Sequence, residues 1–237
     1  MKRLEEGSLQ LSGKGLFADL DPSRLRTHWP SPASPNDRIP ISPRNVADYV
    51  TRLELTVFDL LEKQFLDEGA GYSDFGDVVK ATFGSPLISV DGAYANFPVD
   101  HFSAQFQARF LTTRKPMDIH RMELPDESFD LVVSNTLLNR IFFGSGKATR
   151  RRVDDGFQTL KYMIRVTKVG GEIRTTDVPE PGANQRNVHR LDREVARYYL
   201  IRMGQLLEEN AGRMVIVYPT YEGGYGRMTK IRKIRWP

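Results

Sequence analysis

Apolar positions along this chain follow two different periods. Val46, Tyr49, Val50, Leu53, Leu55, Val57, Leu60 and Leu61 recur at largely helical spacing, which places side chains on one face of a helix. Ser42 followed by Pro43 supplies a cap and a preset first turn, so the pattern predicts one helix over 44–63. That helix has two readings, a packed flank or a lid over a ligand. From residue 64 the pattern changes. Short apolar runs at 64–67, 86–91, 129–134 and 172–177 are bounded by glycines or acidic turns and read as strands, with 114–119 a weaker one. Between them, Phe157, Leu160, Met163, Ile164 and Val166 predict a helix over 156–167, stopped by Val169-Gly170-Gly171. A helix over 192–209 follows, then two closing strands at 214–218 and 228–234 joined by a glycine-rich loop. Alternating β and α segments of this length predict an α/β fold, a doubly wound, Rossmann-like, mostly parallel sheet.

Residues 1–43 are rich in Ser, Pro and Gly, and Trp29-Pro30-Ser31-Pro32 breaks any helix there. The expected organisation is an irregular arm over 1–43 and a single domain over 44–237 that includes the helix at 44–63. Hydrophobic residues make up 40% and charged residues 27%, the balance of a chain that buries one sizeable core. The run of residues after Met1-Lys2-Arg3 lacks the apolar stretch of a secretory signal, and no run is long enough to span a membrane, so the expected compartment is the cytoplasm. With no cysteine, disulfides, thiolate metal sites and thiol nucleophiles are excluded. A net charge of +4, from 34 basic and 30 acidic residues, is too mild an excess to define a nucleic-acid partner.

The chemistry concentrates where the first strand ends. Phe65-Leu66-Asp67-Glu68 runs into Gly69-Ala70-Gly71, where glycines let the backbone turn tightly and approach a ligand. A helix from about residue 74 aims its N–H groups at the same place. By itself the glycine pair is also what an ordinary strand-to-helix turn contains. Asp91 then ends the second strand, where an acidic residue accepts hydrogen bonds from a ribose diol in dinucleotide-binding folds.

Leu66-Asp67-Glu68-Gly69-Ala70-Gly71, Val90-Asp91, Leu124-Pro125-Asp126-Glu127-Ser128-Phe129-Asp130 and Val169-Gly170-Gly171 resemble, in order and spacing, the landmarks of class I S-adenosylmethionine-dependent methyltransferases of the methyltransferase-11-like subgroup. The resemblance covers roughly residues 60–180. It implies an antiparallel strand near the C-terminus and S-adenosyl-L-methionine as cofactor. It places Asp67 near the amino group of the methionine moiety, Gly69 and Gly71 along it, and Asp91 on the ribose. Asp118 and Ile119 are similar to the adenine-binding pair, with His120 competing for that place, and Ser134 and Asn135 face the sulfonium. Two residues depart from the pattern: Ser73 stands where a third glycine is common, and Glu68 where the family has a small or apolar residue.

Methyl transfer is an in-line displacement that needs mainly orientation and a dry cavity. If the acceptor is a hydroxyl, a base helps, and His189 is the candidate, with an exposed histidine at a helix start as its plain alternative. The loop around Tyr221 and Tyr225 gates an acceptor pocket or is a long hairpin turn. The missing cysteine excludes cytosine-C5 chemistry, and Ser134-Asn135-Thr136-Leu137 lacks the Asn/Asp-Pro-Pro-aromatic run of amino-directed nucleic-acid enzymes. A small-molecule, sugar or natural-product acceptor is therefore expected. An RNA or nucleotide acceptor bound by Arg150-Arg151-Arg152 or by residues 227–235, and a non-catalytic scaffold role, are the alternatives.

Overall fold

The computed structural model describes residues 46–71, 73, 75–96, 114–118, 123–142, 149–176, 193–217 and 228–234. Among them, a seven-stranded sheet runs in the order β3-β2-β1-β4-β5-β7-β6. The strands are β1 (Phe65–Glu68), β2 (Leu87–Asp91), β3 (Arg114–Pro116), β4 (Phe129–Ser134), β5 (Thr167–Thr176), β6 (Met214–Val217) and β7 (Met228–Lys233). Strands β1 to β5 are parallel, whereas β7 inserts antiparallel between β5 and β6. The chain winds from β1 outward to β3 on one side and to β5 on the other. That reversal opens a crevice at the carboxyl ends of β1 and β4.

All four residues of β1 are buried, as a central strand covered on both faces requires. Successive side chains supply two cores. Phe65, Leu87, Leu131 and Val133 meet α1 (Val46–Arg52), α2 (Val57–Glu62) and α3 (Phe75–Phe83). Leu66, Val90, Val132 and Ile173 meet α4 (Leu137–Phe142), α5 (Arg150–Val166) and α6 (Arg193–Glu209). No helix among the described residues is long and apolar enough to cross a membrane.

The single helix expected over 44–63 is two helices. Glu54 takes a φ of 48°, a left-handed conformation that ends α1, and Thr56 restarts the chain with a capping box to Asp59. Arg174 of β5 fixes this break from across the sheet. Its guanidinium donates to the carbonyls of Leu53 at 3.3 Å and Glu54 at 2.7 Å, and to the Asp59 carboxylate at 2.9 Å. Apolar spacing cannot show the break, because both helices bury the same side.

The second difference concerns α5, which begins at Arg150 behind a Thr149 cap instead of at Gly156. Gly156 lies inside the helix because a Cβ there would meet the Phe142 ring at 2.2 Å. It lets α4 and α5 approach closely. Val169-Gly170-Gly171 likewise does not stop a helix: α5 ends at Val166, and those residues lie within β5, where the pairing with β4 shifts between Phe129 and Leu131. The arm at 1–43 and the loop at 218–227 lie outside the described residues.

Candidate functional site

Asp67 lies fully buried near the end of β1, among residues that hold it still. Tyr49 of α1 donates its hydroxyl to the Asp67 carboxylate at 3.1 Å, and its ring stacks on Phe75 of α3 with centroids 4.1 Å apart. The N-terminal helices therefore buttress this carboxylate. Beyond it the chain turns through Gly69 (φ 69°) and Gly71 (φ 55°), both in the left-handed region open to glycine.

The end of β2 holds the turn. Gly69 N–H donates to the Val90 carbonyl at 2.9 Å, and Gly71 N–H to an Asp91 carboxylate oxygen at 2.9 Å. Tyr94, in the 3-10 turn at Gly92–Asn96, donates to the Gly71 carbonyl at 2.7 Å. Burial pushes the Tyr94 phenol up, against the opposing charge of Arg114, so it acts as a neutral donor.

Ser73, which replaces a common glycine, caps α3: its hydroxyl accepts from Phe75 N–H at 3.2 Å. Its carbonyl accepts from Arg114 at 3.0 Å, and Arg114 also makes a two-pronged buried pair with Asp77 of α3. Burial alone would lower the Arg114 pKa, but the hydrogen bonds and charge of Asp77 raise it, so the pair stays ionic. Arg114 thus ties β3 to the start of α3 and keeps the turn rigid.

A cavity of about 410 Å³ opens beside this turn, at the carboxyl ends of β2 and β3. Asp91, Met117, Asp118 and Leu137 are among its walls. The two carboxylates that the sequence assigns to a ribose and an adenine therefore share one space. Leu137, the first residue of α4, forms the wall toward the glycines, since a Cβ on Gly69 would meet its side chain at 2.6 Å. Ser134 is fully buried at the end of β4.

A larger cavity of about 560 Å³ lies at the opposite, amino-terminal end of the strands. Its cations are mostly engaged: Lys161 pairs with Glu209, Lys233 with Glu127, and Arg165 with Asp126. In open α/β sheets ligands bind at the carboxyl ends of the strands, which favours the smaller cavity.

Central β1 bearing a glycine turn, acids ending β2 and lining the mouth at β3, and an antiparallel strand inserted beside β5 are now all in place. The fold is the class I methyltransferase fold.

No protein-family model matches the chain, and no curated protein matches it. Solved structures of this fold are similar to it at low identity. A SAM-dependent methyltransferase from Aquifex aeolicus is 15% identical, with 89% of this chain and 97% of that one covered and a TM-score of 0.43. A structure described as PigF with SAH is 16% identical, covers 80% of this chain and 54% of that one, and has a TM-score of 0.48. The [4+2]-cyclase SpnF is 14% identical, with 80% of each chain covered and a TM-score of 0.41. The fold assignment stands on this chain's own strand order.

Of the residues singled out in the sequence, Asp91 and Asp118 meet in the cavity, Gly69 and Gly71 form the turn beside it, and Asp67 and Ser134 lie buried at the ends of β1 and β4. Ile119, His120 and His189 lie outside the described residues. Sequence reasoning missed Tyr49, Tyr94, Arg114 and Leu137. Each acts through a contact made in space, and only Tyr49 carried a signal, its place in the apolar stripe.

Proposed function

We propose that this chain is an S-adenosylmethionine-dependent methyltransferase acting on a small-molecule, sugar or natural-product acceptor. The observation that carries the reading is the shared cavity of Asp91 and Asp118 beside a glycine turn. The residues present fit the cofactor. Asp91 gives one oxygen to Gly71 N–H, and a carboxylate has acceptor capacity to spare for a ribose diol. Asp118 is exposed at the mouth for the adenine, with Met117 and Leu137 as apolar walls. Asp67, oriented by Tyr49, supplies negative charge for the methionine amino group.

S-adenosylmethionine supplies an electrophilic methyl on a sulfonium. The residues of this chain orient the ligand and exclude water, and His189 is proposed as the base if the acceptor is a hydroxyl. Binding without methyl transfer is the rival reading, favoured by the closeness of Leu137 to Gly69, which narrows the space over the turn.

Calorimetric titration with S-adenosylmethionine tests the cofactor. Micromolar binding that Asp91→Ala weakens by about tenfold or more supports the reading, as expected for loss of a charge-assisted hydrogen bond. No heat at millimolar cofactor sinks it. Methyl transfer to a panel of hydroxyl and amine acceptors then separates enzyme from binding module.

A further inference from the structure

Helix α6 turns Val195, Tyr199, Met203 and Leu206 into the core. A helix advances about 100° per residue, so Arg197, Ile201, Gly204 and Glu208 lie on its opposite side. Spaced four, three and four residues apart, they form one straight stripe along the outer face. Helix α5 takes a different flank of α6, through Arg150 with Glu194, Asp154 with Tyr198, and Lys161 with Glu209. Ile201 on the stripe is 51% exposed, and Leu200 and Leu207 along its border are 48% and 44% exposed.

Nothing inside the described chain accounts for this stripe. Glycine is a poorer choice than alanine in the middle of a helix, because it frees the unfolded backbone and leaves the helix bare. A Cβ on Gly204 would meet nothing within 4 Å, so no contact among the described residues requires glycine there. Three large apolar side chains grouped on one helix face are what an association surface exposes. Arg197 and Glu208 are both exposed, and neither forms an ion pair among the described residues.

We propose that this face docks on its own copy in a second chain, as an antiparallel contact between the two α6 helices about a twofold axis. A twofold contact is reciprocal, so each pairing occurs twice. Setting Ile201 of one chain over Gly204 of the partner subunit places an apolar side chain in the hollow that the missing Cβ leaves. One turn further out, the same register sets Arg197 of one chain against Glu208 of the partner subunit, at both ends of the contact. Each chain thus supplies a projection, a hollow and both charges. A parallel pairing would set arginine on arginine and glutamate on glutamate, so charge selects the antiparallel arrangement. A contact of one helix per chain is small for a stable interface, and a dissociation constant on the order of micromolar is expected.

Sedimentation velocity of the full chain, from about 0.1 to about 100 μM, reads the association. The wild-type chain is expected to pass from monomer to dimer across that range. Arg197→Glu alone, and Glu208→Arg alone, each set like charges together at both ends and should weaken the dimer by about tenfold or more. Mixing these two variants in equal amounts rebuilds both ion pairs, so a heterodimer should form where neither variant pairs with itself. Gly204→Leu fills the hollow and should abolish the dimer without lowering Tm, since leucine is the better helix former. A wild-type chain that stays monomeric throughout overturns the proposal. So does a dimer indifferent to both charge reversals, which would place another surface in its interface, or one that survives Gly204→Leu. Failure of the mixture to associate overturns the antiparallel register.

Discussion

Glu68 and Gly156 show opposite ways in which one residue is tuned to its surroundings. The Glu68 carboxyl is raised in the fold, so the unfolded chain loses its proton first as pH rises. The contribution of Glu68 to stability is therefore full below the ordinary carboxylate pKa and falls as pH climbs toward its own raised value. Glu68→Leu is expected to stabilise the fold by about 1–3 kcal/mol at pH 7, because an unpartnered polar group leaves the core. The gain should shrink below pH 4, and urea titrations at pH 3.5 and pH 7 read both effects. A variant less stable than wild type at pH 7 would show that the carboxyl serves packing. Gly156→Ala should cost about 1–3 kcal/mol, since the added methyl enters the space of the Phe142 ring. A second substitution, Phe142→Leu, restores much of that loss if the clash is its cause.

The break between α1 and α2 belongs to a partner more than 100 residues away. Arg174 satisfies the carbonyls of Leu53 and Glu54, just past the end of α1, and pairs with Asp59, whose carboxyl caps the start of α2. Burial raises the Asp59 pKa, but the hydrogen bond of Lys63, the charge of Arg174 and the Thr56 backbone outweigh it, so the net shift is downward. A lowered carboxylate contributes stability that is present above the unfolded pKa and is lost as pH falls through the folded one. Arg174→Met should cost about 1–3 kcal/mol at neutral pH, because Asp59 keeps Lys63 and Thr56 but loses its arginine, and the Leu53 and Glu54 carbonyls lose their donor. The acid-side loss of stability should also flatten. Because Tyr49 of α1 orients Asp67, the same variant should weaken binding of S-adenosylmethionine by several-fold, measured by calorimetry on the folded fraction. Unchanged affinity would mean that α1 keeps its place without the clamp.

At the scale of the whole molecule, the site is where several separately anchored segments converge: β1 through Tyr49, β2 through Asp91, β3 through Arg114 and β4 through Leu137. A ligand bridging them stabilises the folded state alone. S-adenosylmethionine at a hundredfold over its Kd should add about 2.7 kcal/mol, seen as a rise in Tm that a tenfold-weaker Asp91→Ala cuts to about half at the same ligand concentration. A flat thermal response across that range would count against a site at the strand ends.

What the sequence determined by itself is the α/β alternation, strands placed within a residue or two at 65–68, 87–91 and 129–134, the glycine turn, and Asp91 as the acid at its side. These are local matters: period-two and helical spacing encode which faces are buried, and glycine permits the left-handed turn that Gly69 and Gly71 take. The tertiary structure alone decided that the stripe at 46–61 breaks in two, that Gly156 is a contact point inside a helix, and that the expected antiparallel strand, β7, takes its place between β5 and β6. It also decided that Glu68 faces a core in which no described residue hydrogen-bonds it, while Asp67, one residue earlier, faces a tyrosine. Those outcomes depend on pairs far apart in the chain, such as Arg174 with Glu54 and Gly156 with Phe142. Residue spacing records the face on which a side chain lies, and only the closed fold decides what it meets there.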